Sequence, residues 1–229
     1  MPTTMALAIP VYDDWDGVYF TAMSALHHHP GQFNEIVVVD TNPNSKAGDV
    51  TGRWCHSWAG KKVKYVEVED HGGAGPAAAK NRAIAECTSD IVICTDCHVL
   101  MVPGCPEAVK AHLLNHRTDL VHGPLHYDGS GSVSTHFNSN WGGGMSGQWT
   151  TEPGWERMES FEVANAACGF FAVWRTLWPG FNPKFRGFGG EEGYIQAKYR
   201  SLNRRAVCLS AAGWVHRFAR VNGAPHPVS

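Results

Sequence analysis

The segment Glu35-Ile36-Val37-Val38-Val39-Asp40-Thr41 is uniformly apolar and β-branched between its polar ends, and it restricts the fold more than any other stretch of the chain. A run of this kind, with no polar alternation, suits a strand covered on both faces, as in the interior of a parallel sheet. The surrounding sequence fits the same scheme. Ala6 to Val11 reads as a first strand of mixed composition, stopped by Pro10 and by the acidic turn Asp13-Asp14. Either aspartate can cap a following helix, whose apolar positions Val18, Ala22, Ala25 and Leu26 recur at helical spacing and which should end near His27-His28-His29-Pro30. Those histidines are expected as exposed residues that favour the helix dipole, with no functional role. A short helix around Val50 to Trp58, a strand from Val63 to Val68, a helix from Ala77 to Glu86 with Pro76 at its start, a strand from Asp90 to Thr95 and a helix of about Pro106 to Asn115 follow. The order βαβαβαβα calls for an α/β fold, a mostly parallel central sheet flanked by helices.

With 229 residues and 43% hydrophobic content, one full core is feasible and two small domains would be hard to support, so a single domain over residues 1–229 is expected. No run of about 18 apolar residues is present to span a bilayer, and Met5-Ala6-Leu7-Ala8-Ile9 passes into Pro10 without a basic leader, so a soluble, cytoplasmic protein is expected. Seven irregularly spaced cysteines do not describe a disulfide framework, and Cys94-Thr95-Asp96-Cys97 lacks the second pair that a zinc site needs. Charge is uneven. Nine Lys and Arg against two Glu give residues 175–229 a net +7, leaving −9 for the rest, an asymmetry that suggests an anionic ligand on that side.

Chemistry-bearing residues gather where apolar runs end. Asp96 and His98 stand two residues apart just beyond the strand Asp90 to Thr95 and so point to one side, a carboxylate and an imidazole suited to Mn²⁺ or a similar ion. Asp40 closes its own strand, and ligands of open α/β sheets bind at the carboxyl ends of strands. His71-Gly72-Gly73-Ala74-Gly75-Pro76 forms a glycine turn before a helix that carries Lys80 and Arg82, a setting in which backbone can approach phosphate. From Tyr127 to Thr151 the chain is rich in Gly, Ser, Asn and Trp, including Trp141-Gly142-Gly143-Gly144. This long loop would either stack rings on a sugar or anchor itself to the core. Ala166 to Trp174 reads as a buried strand, Phe181 to Gly190 as a turn-rich lead into a helix beginning near Glu191, and Ala206 to Leu209 as a short strand before Trp214-Val215-His216-Arg217-Phe218.

In this order, these residues resemble the GT-A-fold glycosyltransferases of the family 2-like group, with similarity to polypeptide N-acetylgalactosaminyltransferases and β-1,4-galactosyltransferases, over about Ala6 to Phe218. The resemblance implies a nucleotide-binding half, residues 1–117, and an acceptor-binding and catalytic half, residues 118–229. It assigns Pro10, Val11 and Tyr12 to the strand end beside the nucleotide base, Asp40 to the base or ribose, and Gly75, Lys80 and Arg82 to the diphosphate, with either cation as the contact. Thr95-Asp96-Cys97-His98 is similar to the family's metal motif in its Asp-x-His form. His216 would complete a Mn²⁺ or Mg²⁺ site, with Thr95, Cys97 and Arg217 beside the donor. Gly189-Gly190-Glu191-Glu192 resembles the Gly-Gly-Glu-Asp of inverting members, which implies that Glu191 holds the acceptor and Glu192 removes its proton. Trp141, Phe188, Gly189 and Gly190 would also face the acceptor.

The implied activity is transfer of a sugar from a nucleotide-diphosphate sugar, a UDP-sugar being the expected donor, to a hydroxyl of a glycan or protein, or of hydroxymethylpyrimidine in DNA, which the basic C-terminal part would suit. The Tyr127–Thr151 loop is placed as a lid. Two other readings are a metal-dependent nucleotidyltransferase, which would need a second acid near Asp96 or a phosphate loop, and a non-catalytic nucleotide-sugar-binding module.

Overall fold

A computed structural model of the chain describes residues 2–58, 62–69, 75–141 and 147–218. In chain order the elements are β1 (Met5–Val11), α1 (Trp15–His28), β2 (Glu35–Asp40), α2 (Lys46–Trp58), β3 (Val63–Glu67), α3 (Gly75–Glu86), β4 (Ile91–Thr95), β5 (Val99–Met101) and α4 (Cys105–Asn115). They continue with β6 (Leu120–His122), β7 (Leu125–Tyr127), β8 (Val133–Ser134), β9 (His136–Trp141), β10 (Gly147–Thr150), β11 (Ser160–Glu162), β12 (Phe170–Trp174), α5 (Glu191–Ser201), β13 (Ala206–Leu209) and β14 (Trp214–His216).

Eight strands form the main sheet in the order β11-β13-β6-β12-β4-β1-β2-β3. The pairs β4/β1, β1/β2, β2/β3 and β6/β13 are parallel, while β12 runs antiparallel to both neighbours and β11 antiparallel to β13. As its apolar run requires, β2 lies inside the sheet, with Ile36, Val37, Val38 and Val39 buried. The side chains of β1 sort by size between the two faces. Met5, Leu7, Ile9 and Val11 pack with Val18, Ala22 and Ala25 of α1 and Val109 and Leu113 of α4. Ala6 and Ala8 meet Ala77, Ala83 and Ile84 of α3, and Ile195 and Tyr199 of α5 share that core. Small residues on both sides let α3 lie close against the sheet.

Several expectations are corrected in detail. Pro10 lies within β1 instead of ending it: β4 pairs with β1 only from Met5 to Ala8, so the missing N–H of Pro10 costs no ladder bond on that side. His29 is buried, with Nε2 3.3 Å from the Met101 carbonyl, because the chain folds back against β5 after α1; His27 and His28 are exposed. The buried strand begins at Phe170, not Ala166, since the preceding residues pass beneath a cavity rather than joining the ladder. The region from Tyr127 to Thr151 contains β8 and a β9/β10 hairpin instead of a structureless loop. Phe137 and Trp149 pack there with ring centroids 4.3 Å apart, supplying the apolar contact that Gly and Asn lack. The glycine turn at residues 71–74 and residues 142–146 lie outside the described residues. All seven cysteines are free and buried, which suits packing. Among the described residues no helix is long and apolar enough to cross a membrane.

Between β6 and β7 the backbone of Gly123 passes so near Ala212 that a Cβ would collide with its carbonyl oxygen, and the Gly123 carbonyl accepts the Trp214 indole N–H at 2.8 Å. Gly123→Ala is therefore expected to destabilise the protein by about 2–3 kcal/mol, since backbone on both sides must move. A thermal melt should show a Tm lower by about 4–12 °C; an unchanged Tm would refute this close approach.

Candidate active site

At the end of β4 the chain leaves the sheet, and the Asp96 N–H donates to the Gly169 carbonyl at 2.8 Å. The short strand β5 follows at once. Its antiparallel pairing with β14 sets His216 opposite Val99, and the Arg217 N–H donates to the His98 carbonyl at 3.0 Å. This pairing joins two histidines 118 positions apart, with their Nε2 atoms 3.2 Å from each other. Asp96 Oδ2 lies 3.7 Å from His216 Nε2. The His98 and His216 side chains are 7% and 8% exposed while Asp96 retains 30%, so the carboxylate forms the open side of the cluster.

Lys80 enters the same space from α3, its Nζ 2.9 Å from Asp96 Oδ1 and its side chain 4% exposed. Burial works against both charges. Pairing with Asp96 nevertheless holds the Lys80 ammonium well above its ordinary range, and Lys80, followed by the His216 hydrogen bond, holds the Asp96 carboxyl well below the usual carboxylate range. Arg82 is exposed and pairs with Glu86 at 2.6 Å, so Lys80 is the inward cation of the two. Asn81, between them, accepts the Phe181 N–H at 2.9 Å and donates to the Phe181 carbonyl at 3.1 Å, tying α3 to the chain that leads to α5.

One ligand atom each from Asp96, His98 and His216 lies within 4.8 Å of the other two. With His98 Nδ1 engaged by Asp14 Oδ2 at 2.8 Å, its Nε2 is the ring nitrogen that faces His216. Two imidazole nitrogens this close need a shared proton or a cation beside them. Among the described residues, buried His216 Nδ1 has no hydrogen-bond partner. One carboxylate with two imidazoles therefore fits a divalent ion, Mn²⁺ better than the oxygen-preferring Mg²⁺.

The acids come from the start of α5. Gly189 and Gly190 have φ of 105° and 82°, and Gly190 is the N-cap residue of α5 in the left-handed conformation that favours glycine. This turn lets Glu191 bend back, buried, to accept the Gly189 N–H at 2.9 Å. Burial first, then the neighbouring Glu191 charge, pushes the Glu192 carboxyl up to about 7. Gly75, at φ 70°, presses against Gly187, where a Cβ would collide with the carbonyl oxygen, so the start of α3 and the loop before the acids touch directly.

A cavity of about 570 Å³ unites these groups. Its lining includes Pro10, Val11 and Tyr12 at the end of β1 and Thr41 after β2, Gly75 and Lys80 of α3, Asp96, Cys97 and His98 after β4, Phe188 with Glu191 and Glu192 at the start of α5, and the rings of Phe137, Trp149, Trp214 and Phe218. Four expected donor residues stand off the wall. Asp40 is buried, its oxygens accepting the Asn42 N–H and the Tyr65 hydroxyl, both at 2.9 Å. Thr95 is fully buried, Arg82 faces outward, and the Arg217 guanidinium lies 4.9 Å from the Phe20 ring centroid. Gly189 and Gly190 shape the turn beside the wall; Trp141 ends β9, and its side chain lies outside the described residues. Sequence reasoning missed Thr41, Phe137, Trp149, Trp214 and Phe218 as wall residues and Asp14 as a partner of His98. The run of tryptophans among glycines was the available signal for Trp149.

The basic C-terminal residues are largely committed. Arg175 donates to the Ser89 carbonyl, Lys198 to those of Pro179 and Gly180, Arg200 to that of Ala164 and Arg204 to that of Leu177, while Arg205 pairs with Asp119. Arg220 lies outside the described residues.

A mostly parallel sheet with a metal-ready acidic and histidine cluster at its carboxyl edge defines a GT-A-type glycosyltransferase fold. The sequence profile of glycosyl transferase family 2 matches residues 6–177, and the chain belongs to that family. No curated protein sequence matches it. Among solved structures, GalNAc-T7 with UDP, GalNAc and Mn²⁺ is similar with a TM-score of 0.76 at 16% identity, over 98% of this chain and 45% of that one. Residues 1–349 of TarS from S. aureus, in complex with UDP-GlcNAc, give 0.66 at 16% identity, over 98% and 62%. The mannosyltransferase PcManGT from Pyrobaculum calidifontis, with GDP-Man and Mn²⁺, gives 0.65 at 17% identity, over 96% and 59%. These likenesses show a shared fold, and the chain spans less than two thirds of each of those proteins.

A raised carboxyl pKa predicts a measurable pH effect. Above the ordinary value of 4.5 an unfolded Glu192 loses its proton while the folded one keeps it, so native stability falls between pH 4.5 and about 7. In metal-free solution, Glu192→Gln should raise stability by about 3 kcal/mol at pH 8, some 6–12 °C in Tm, and have no such effect at pH 4. A Tm difference independent of pH would show that Glu192 ionises normally.

Proposed function

We propose that the protein is a metal-dependent inverting glycosyltransferase, which moves a sugar from a UDP-sugar to an acceptor hydroxyl. The observation that carries this reading is the convergence of Asp96, His98 and His216, Lys80 and Glu192 on one cavity. A nucleotide base fits the part of the cavity lined by Pro10, Val11, Tyr12 and Thr41, with Asp40 fixing the adjacent turn through Asn42. The diphosphate then lies beside Lys80, whose ammonium offsets the charge that develops as the bond from C1 to the leaving oxygen breaks. Mn²⁺ held by Asp96, His98 and His216 would supply further positive charge to the same oxygens.

Glu192 is the base. A carboxylate poised near neutrality accepts a hydroxyl proton more readily than one at its ordinary pKa. It takes the acceptor proton as the hydroxyl oxygen attacks C1 from the face opposite the leaving group, so the configuration inverts. Glu191, fixed by Gly189, orients the acceptor, and Phe188 with the other rings of the lining offers stacking surfaces for a ring and excludes water. The β9/β10 hairpin, which carries Phe137 and Trp149, takes the part of the lid.

A glycan or protein hydroxyl is the favoured acceptor. Hydroxymethylpyrimidine in DNA would call for free cations along the phosphates, whereas Arg175, Lys198, Arg200 and Arg204 bond backbone carbonyls.

The test is a nucleotide-sugar panel with and without Mn²⁺, read by calorimetry and by release of nucleoside diphosphate. Binding and turnover of at least one UDP-sugar should require Mn²⁺, and Asp96→Ala should lower turnover at least about 100-fold. Glu192→Gln should bind the donor normally yet lose about 10²–10⁴-fold in transfer. Turnover that persists unchanged in Asp96→Ala would remove the metal-assisted mechanism. Donor binding without turnover on any acceptor would favour a binding module, and release of sugar 1-phosphate in place of nucleoside diphosphate would favour nucleotidyl transfer.

A further inference from the structure

We infer that Asp14 is a positioning residue for the metal site: it fixes the tautomer and direction of His98 while capping α1. The inference rests on the metal-binding reading of Asp96, His98 and His216 given above. Asp14 Oδ1 accepts the Gly17 N–H at 3.0 Å, which caps α1. Its Oδ2 lies 2.8 Å from His98 Nδ1 and 3.4 Å from Cys97 Sγ. A carboxylate offers acceptors only, so His98 Nδ1 carries the proton that it donates to Asp14. The Nε2 of the same ring is then left as a lone pair aimed toward Asp96 and His216, the form in which imidazole ligates a metal. The carboxylate and the imidazole are 10% and 7% exposed, so the bond is shielded from water.

The rest of the N-terminal part of α1 is built around the same contact. Gly17 gives it room, since a Cβ there would stand 2.7 Å from both Asp14 Oδ2 and the Cys97 carbonyl oxygen. One turn later the Thr21 hydroxyl donates to the Cys97 carbonyl at 2.8 Å and accepts the Val99 N–H at 3.1 Å. The backbone is thus clamped immediately before and after His98, and its ring is aimed by Asp14. A residue that served only as a helix cap would need neither the second carboxylate oxygen nor the glycine three positions on.

Asp14→Asn separates the two duties. Asparagine caps a helix about as well as aspartate, but with its oxygen on Gly17 its amide N–H groups face His98 Nδ1, which must then accept. The imidazole proton moves to Nε2 and points into the metal site. Asp14→Ser keeps a capping oxygen and is too short to reach the imidazole, so it frees the ring without reversing the bond. Mn²⁺ affinity, measured by calorimetry on the full chain without nucleotide, should fall about 10–100-fold in both variants. Their metal-free Tm should stay near that of the native protein.

Long-range ¹H–¹⁵N spectra of the metal-free proteins provide a readout that a structural role would not move. The His98 signals, assigned by their loss in His98→Gln, should report the Nδ1–H form in the native protein and the Nε2–H form in Asp14→Asn. Native Mn²⁺ affinity in both variants, or an Nδ1–H imidazole in Asp14→Asn, would overturn the inference while leaving the metal site standing. Absence of Mn²⁺ binding by the native protein would instead overturn the metal reading beneath it.

Discussion

Lys80 Nζ and Asp96 Oδ1 lie 2.9 Å apart at the carboxyl edge of the sheet, and the architecture of the cavity follows from burying the Lys80 ammonium against a carboxylate that stays partly open. The buried ammonium could not be held there alone, because an uncompensated buried ion costs several kcal/mol. Lys80 comes so deep because α3 sits close to the sheet. Ala6 and Ala8 on one side and Ala77 and Ala83 on the other leave no bulk to hold the helix away. Pairing with Lys80 orients one oxygen of Asp96 and leaves Oδ2 toward His216.

Long-range pairing supplies the remaining groups. The β5/β14 ladder carries His216 to His98, and the Trp214 indole bonded to Gly123 fixes the start of β14. Asn81 binds Phe181, and Gly75 touches Gly187, so α3 holds the segment that delivers Glu191 and Glu192 at the N-terminus of α5. The helix that positions Lys80 thus also positions the acids in the same cavity.

Much of this arrangement was legible in the sequence where local rules govern. The apolar run of β2 could only be an interior strand, Ala206–Leu209 was bounded by polar residues on both sides, and the double glycine before Glu191 marked a helix start. The Asp96, His98 and His216 trio was readable through family resemblance, because no local rule brings residues 98 and 216 together. What stayed hidden depended on tertiary contacts. β5 is only three residues long, and it exists because β14 pairs with it. Pro10 inside β1 is acceptable only because β4 has already stopped pairing. Asp14 read as a cap, and it is one, but its second oxygen is used 84 positions away. The excess of Lys and Arg in residues 175–229 suggested an anion-binding face, yet charge counts do not reveal that most of these side chains reach backbone carbonyls.

Crystals grown with Mn²⁺ and UDP, with diffraction measured on both sides of the manganese absorption edge, test the central claim directly. One anomalous peak should appear within coordination distance of Asp96, His98 and His216, on the side of the cavity that Lys80 also faces. A peak elsewhere, or none beside these three side chains at full nucleotide occupancy, would contradict it.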